Sequence, residues 1–355
     1  MKRKNGFQEF RAILLQSATI IFITLSLAEI ALRVFDHYNP SFIFYSDSYK
    51  RFRGKPFADD WDFKLNSRGF KDVEFSDKKE SAYRILGIGD SFSYGVVPYK
   101  YNYLTLIESQ LHARNPNVEV LNMGIPDTGP KDYFSLLLEE GLALQPDMVL
   151  LSFFVGNDFD QSRKKKNHEY SYVASLLRYI INLQQKYEGN IIHGKGTYCD
   201  KCPTFGHEEY LKIEGKRSQI YLEEYGQFPQ LLDKALYYLV LIKEICEKKG
   251  IDFVVVIIPD ELQINKNLER EIRNAYYPNI EKEVWNIARP NRALSNELNK
   301  LRIDNIDLYD YFVDVSYGNL YRPRDTHWNI AGNQLAANVI EQHLQRYIRS
   351  KRRAQ

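Results

Sequence analysis

The stretch GIGDSFSYG, Gly87 to Gly95, follows directly on the apolar run Tyr83-Arg84-Ile85-Leu86. A chain that leaves a buried strand through two glycines and at once presents an aspartate and a serine puts a hydroxyl beyond the strand's carboxyl end, where open parallel sheets bind their ligands. Ser91, opening a helical turn, would expose its Oγ and aim its backbone N–H at the same point. A serine hydroxyl is a weak nucleophile until a base takes its proton, and His327 is the candidate base. Asp325 stands two residues before it. In extended backbone such residues project to one face, about 6.5 Å apart at the Cα level, so this carboxylate can hold the imidazole tautomer and stabilise its charged form. An acyl-transfer intermediate also needs donors at its oxyanion. Three are expected: the Ser91 N–H, the Gly124 N–H, where glycine lets the backbone approach closely, and the Asn157 side-chain amide. Asp90 reads as a structural hydrogen-bonding residue and Asp158 as packing or capping. A phosphatase would need Asp90 plus metal-binding acids, for which Asp158 and Asp160 are the candidates. The serine chemistry calls for no cofactor and no metal.

Distant segments must converge to build such a site, and the apolar pattern supplies the elements. Short strand-type runs occur at 84–88, 118–121, 148–154, 253–258 and 306–308, separated by helical periodicity at 101–113, 134–144 and 231–248 and after Asn329, a good N-cap. This alternation argues for an α/β fold, a parallel sheet with helices on both faces. Serine, glycine and asparagine then follow strand ends, and with Asp325 and His327 near the chain's end four separated segments deliver polar residues to one expected edge of the sheet. Between 160 and 227 the alternation fails, and this segment reads as an insertion, a cap beside the site. Its tyrosines, Tyr170, Tyr172, Tyr179, Tyr187, Tyr210, Tyr221 and Tyr225, serve packing or stack on sugar rings. Gly87-Ile88-Gly89 begins like a dinucleotide fingerprint, but Phe92 fills the third glycine position.

The segments GDSFSYG, NMGIPDTG, FVGND and DTHWN resemble, in order, the four blocks of the SGNH (GDSL-type) hydrolase family. The family's named serine, glycine, asparagine and histidine fall on Ser91, Gly124, Asn157 and His327. The resemblance implies a three-layer α/β/α flavodoxin-like fold with about five strands, and hydrolysis or transfer of acyl groups on esters. The family's usual final block has its acid three residues before the histidine, whereas Asp325 is two before. The D-x-H-W spelling is similar to that of alginate O-acetylation proteins and related membrane-anchored members acting on exopolysaccharide. That implies an esterase or O-acyltransferase for acylated carbohydrate or another ester, with polysaccharide-assembly proteins as candidate partners. A glycan-binding module without turnover is the reading from another class. If Asp325 does not orient the imidazole, geometry on the Arg324 side or Asp310 must.

Bulk properties set the limits. The 355 residues, 44% hydrophobic, suffice for one large domain with additions, and 48 basic against 46 acidic residues call for no nucleic acid. Residues 12–28, uncharged behind a basic start, read as a membrane anchor, a cleaved signal peptide or a buried helix. The basic tail 1–11 would stay in the cytoplasm and the rest lie outside it: a single-pass inner-membrane protein with a periplasmic or extracellular catalytic domain. Residues 29–79 read as a stalk or flank, 80–349 as the catalytic domain with its insertion, and 350–355 as a second basic tail. Cys199 and Cys202 suit a local disulfide, free thiols, or zinc with His193 and His207. Cys246 reads as core, and Arg163 to Lys166 as a solvated face or an attractor of acidic glycan.

Overall fold

The computed structural model describes residues 2–38, 53–161, 171–182, 194, 196–281, 284–314 and 320–354. The apolar runs become five strands: β1 (Tyr83–Ile88), β2 (Val118–Asn122), β3 (Met148–Phe154), β4 (Asp252–Ile258) and β5 (Asp304–Asp307). All pair in parallel, in the order β2-β1-β3-β4-β5. This is the flavodoxin-like order, with its switch point between β1 and β3. β3 is buried at all seven positions, which explains its unbroken MVLLSFF run.

The main helices are α1 (Lys2–Tyr38), α2 (Ser91–Tyr94), α3 (Tyr103–His112), α4 (Pro130–Leu136), α5 (Tyr172–Asn182), α6 (His207–Arg217), α7 (Phe228–Lys249), α8 (Arg289–Lys300) and α9 (Ile330–Ala354). On one face of the sheet α3 packs on α9, and Leu104, Ile107, Ala336 and Ile340 close over Ile85, Leu150, Val254 and Val256. The intervening strand residues Leu86, Leu151, Val255 and Ile257 are equally buried, and α7, packed on α4 and α8, completes the third layer. The helix expected at 134–144 starts earlier, because Pro130 with its fixed φ suits a first helical position, and it widens into a π turn after Leu136. α6, α8 and the helix Lys266–Tyr276 were not expected. Their charged residues dominate, and each buries only a few side chains, such as Leu268 and Ile272 or Leu294 and Leu298.

The chain divides into two compact units, Met1–Asp47 with Lys164–Lys186, and Ser48–Arg163 with Tyr187–Gln355. The expected insertion is therefore shared between them. In the first unit, Glu9–Phe35 of α1 is long and apolar enough to cross a membrane.

The expected flank is, from residue 53 onward, part of the sheet-bearing unit. Lys71 is buried; its Nζ pairs with Asp60 Oδ2 at 2.5 Å and donates to Gly95 O at 2.8 Å and Val97 O at 2.5 Å. Burial lowers its pKa while Asp60 opposes that shift. Asp72 accepts from Asn122 N at 2.7 Å and from the Tyr99 hydroxyl at 2.9 Å. Flank side chains thus hold the segment that follows β1 and the end of β2. Removing one partner of a buried ion pair strands the other, so Lys71→Met should destabilise the fold by roughly 3–5 kcal/mol, read as a shift in urea midpoint.

Candidate active site

α2 is a single turn, too short to persist alone, and side chains pin both its ends. Asp90 caps it, Oδ1 accepting from Phe92 N at 2.9 Å. At the other end Asn102 Nδ2 donates to Ser93 O and Tyr94 O, and Asn122 Nδ2 donates to Ser93 O at 2.8 Å. Gly89 permits the close fold-back: a Cβ there would lie 2.2 Å from Ser93 Oγ and 3.1 Å from Ser152 Cβ. The chain therefore leaves β1 through a glycine because the next turn packs directly on it, and Ser91 opens that turn.

The histidine comes from an antiparallel hairpin, β6 (Tyr321–Arg322) and β7 (Asp325–Trp328). Arg324, in the turn between them, has φ 48°. Trp328 is buried against Phe92, Tyr103 and Phe312, anchoring β7 beside α2. His327 Nε2 stands 2.7 Å from Ser91 Oγ, and Nδ1 stands 2.7 Å from Asp325 Oδ1. Asp325 Oδ2 accepts from Arg322 Nη1 at 2.6 Å and from Thr204 Oγ1. Burial opposes ionisation of Asp325, yet the imidazole, Arg322 and Thr204 outweigh it and hold the carboxyl down to about 2. An ionised Asp325 puts the imidazole proton on Nδ1 and leaves the Nε2 lone pair to accept from Ser91 Oγ–H. Asp310 lies elsewhere, paired with Arg292 at 2.5 Å.

The expected oxyanion donors divide. The Ser91 N–H, at the first position of α2, makes no hydrogen bond among the described residues. Asn157 Nδ2 donates to Asp90 Oδ2 at 3.3 Å, which fixes the amide's orientation and leaves its second N–H. Gly124 is a correction. Its N–H donates to Asn122 Oδ1 at 2.8 Å, and a Cβ there would fall 2.2 Å from Tyr94 N and 2.4 Å from Ser93 C. The glycine is needed for the β2 loop to pass against α2, and its amide is spent inside that loop. Three residues on, Asp127 adopts φ 56° and lines the cavity beside Asn157. Left-handed backbone at a non-glycine residue costs on the order of 1 kcal/mol and concentrates at functional sites. Residue type alone gave no sign of it.

Residues 220–355 match the family model for the SGNH hydrolase-like domain, acetyltransferase AlgX. The matched part includes the His327 hairpin, while Ser91 and Asn157 lie before it. No curated protein matches the chain. Among solved structures, the chain is similar to a GDSL-like lipase from Bacteroides thetaiotaomicron (11% identity, 77% of this chain, 92% of that chain, TM-score 0.40). It is also similar to a catalytic mutant of Axe2, an acetylxylan esterase from Geobacillus stearothermophilus (13% identity, 74% and 94%, TM-score 0.40). A third similar structure is the acetyl xylan esterase AlAXEase (16% identity, 72% and 97%, TM-score 0.38).

Part of the expected cap is a strap over Asp325. Cys199 and Cys202 form a disulfide, and the chain beyond it runs along the hairpin turn, Thr204 N to Pro323 O and Phe205 N to Arg324 O. Asp200 Oδ1 accepts from Tyr198 OH at 2.7 Å and from Ile330 N at 3.1 Å, which ties the strap to the start of α9. His207, the other expected zinc ligand here, pairs with Glu271 at 2.8 Å. His193, Arg163 to Lys166, Tyr170 and Tyr187 lie outside the described residues, as does the side chain of Tyr179.

The other candidate residues sort by burial. Asp158 is buried, accepting from Tyr133 OH and Phe154 N, a packing and capping role. Cys246 is core, its thiol pushed up to about 12 by burial. Tyr210 and Tyr221 are buried, and Tyr225 lines the cavity of about 540 Å³ together with Asn157, Gly156, Lys216 and Arg217.

Proposed function

We propose that the protein is a serine-dependent ester hydrolase acting outside the cytoplasm on O-acylated carbohydrate. The observation that carries this reading is the unbroken hydrogen-bonded chain from Ser91 through His327 to the ionised Asp325. Ser91 Oγ attacks the acyl carbonyl as its proton passes to His327 Nε2. The carbonyl π electrons move to oxygen, and the Ser91 N–H and the Asn157 amide receive the oxyanion. Collapse expels the sugar oxygen, which takes the proton from Nε2. Water then gives a proton to Nε2 as it attacks the acyl-serine, and collapse returns that proton to Ser91 Oγ and releases the carboxylic acid. The cavity beside Asn157 has room for the group carried beyond the carbonyl. The basic residues Lys2, Arg3 and Lys4 before an apolar helix support export of the rest of the chain.

A second reading, O-acyltransferase, is favoured by the match to the domain of acetyltransferase AlgX. There a sugar hydroxyl replaces water in the second half-reaction. One experiment separates them: the purified protein is given an activated acetyl ester with and without an oligosaccharide. Hydrolysis releases acetate regardless, transfer acetylates the oligosaccharide faster than acetate appears, and binding without either product rejects both. Asn157→Ala should lower kcat by about 10²–10³ with KM little changed, as expected for a lost oxyanion donor, measured by release of p-nitrophenol from a short acyl ester.

A further inference from the structure

In the unit made of Met1–Asp47 and Lys164–Lys186, a short helix is tied to the long apolar one by a single carboxylate. Glu29 of α1 accepts from Ser171 Oγ at 2.9 Å and from the backbone N–H groups of Tyr172 and Val173, each at 3.0 Å. Arg33 holds the same carboxylate through Nε at 2.8 Å and lies over the Tyr172 ring, 4.6 Å from its centroid. Glu29 therefore caps α5, satisfying first-turn donors that would otherwise need water. A carboxylate at the end of an apolar span is expensive unless paired, and α5 brings it three donors.

The contact is confined to one end of α5. On α1 it half-buries Ser26, Ala28, Glu29 and Leu32, and on α5 residues 172–176 are covered while Leu177, Arg178, Ile180 and Ile181 are exposed. The C-terminal part of α5 presents Leu177, Ile180 and Ile181 at 54%, 52% and 70% exposure. They are spaced three and four apart and form one apolar stripe. The uncharged stretch of α1 ends at Ala28, so Glu29 falls where hydrocarbon gives way to headgroups. At that level α1 itself exposes Ile30, Val34 and Phe35, so the stripe of α5 continues an apolar surface already present.

We propose that α5 is an interfacial helix, lying in the outer headgroup layer of the bilayer that α1 crosses, with Leu177, Ile180 and Ile181 against the acyl chains. The occupant of this face is lipid. Arg178, exposed beside the stripe, suits the headgroups. The inference rests on the reading of α1 as a retained anchor.

The test is a nitroxide on Ile180→Cys in the full-length protein, reconstituted sparsely in phosphatidylethanolamine–phosphatidylglycerol vesicles. Cys199 and Cys202 are disulfide-bonded and Cys246 is buried, so the new thiol takes the label. Oxygen should relax the nitroxide more than a water-soluble nickel chelate does, at a depth of about 5–10 Å below the headgroup boundary. A label at Lys212→Cys, exposed on α6, should give the reverse ratio. Stronger relaxation by nickel at position 180 overturns the proposal, and so does shielding from both reagents, which would mean protein covers the face. A label at Ile20→Cys distinguishes the two failures. Hydrocarbon depth at position 20 with water at position 180 rejects the interfacial helix alone, and an aqueous position 20 rejects the anchor.

Discussion

Ser91→Ala should reduce turnover of a short acyl ester by roughly 10⁴ or more while leaving the fold intact. The hydroxyl faces His327, and the supports of α2 come from other residues: Asp90 at one end, Asn102, Asn122 and Lys71 at the other. Circular dichroism and the urea midpoint should match the parent. Mass spectrometry of the parent after an activated ester should place the acyl group on Ser91, and the variant should carry none. Substantial turnover in the variant would reject Ser91 as the nucleophile.

Asp325→Asn should follow with a loss of up to about 10⁴ in kcat, because an amide cannot hold Nδ1 as the protonated nitrogen. The same change has a cost in stability. The folded carboxyl sits at about 2, below its ordinary 3.8, so it binds protons less readily folded than unfolded. Its contribution of about 2 kcal/mol is present above pH 4 and is lost as pH falls through 2. The variant should therefore be less stable than the parent at neutral pH, and the two should converge in strong acid. Urea titrations across that range would check it. An unchanged kcat would remove Asp325 from the mechanism and reopen the search for an orienting acid.

The sheet was legible because β3 and β4 are buried on both faces, leaving unbroken apolar runs in the sequence. Ser91, His327 and Asp325 were legible because each stands near a strand's end or in one with a spacing that fixes its direction. Gly124 misled for a physical reason. Whether a backbone amide is free depends on its neighbours, and Asn122, two residues earlier, claims this one. Lys71 and Asp60 carried no signal, since a buried ion pair is visible only once its partner is known. Thr204 had no signal either: its reach to Asp325 depends on the course of a strap closed by two cysteines.

The grip of Lys71 on the carbonyls of Gly95 and Val97 also decides where the molecule can be cut. Shortening the gene to begin at residue 80, as the strand pattern invites, would discard the side chain that secures the turn bearing Ser91 and hand back a protein prone to precipitate. A trimmed, secreted form for crystallisation should instead start near Ser48, where the sheet-bearing unit itself begins.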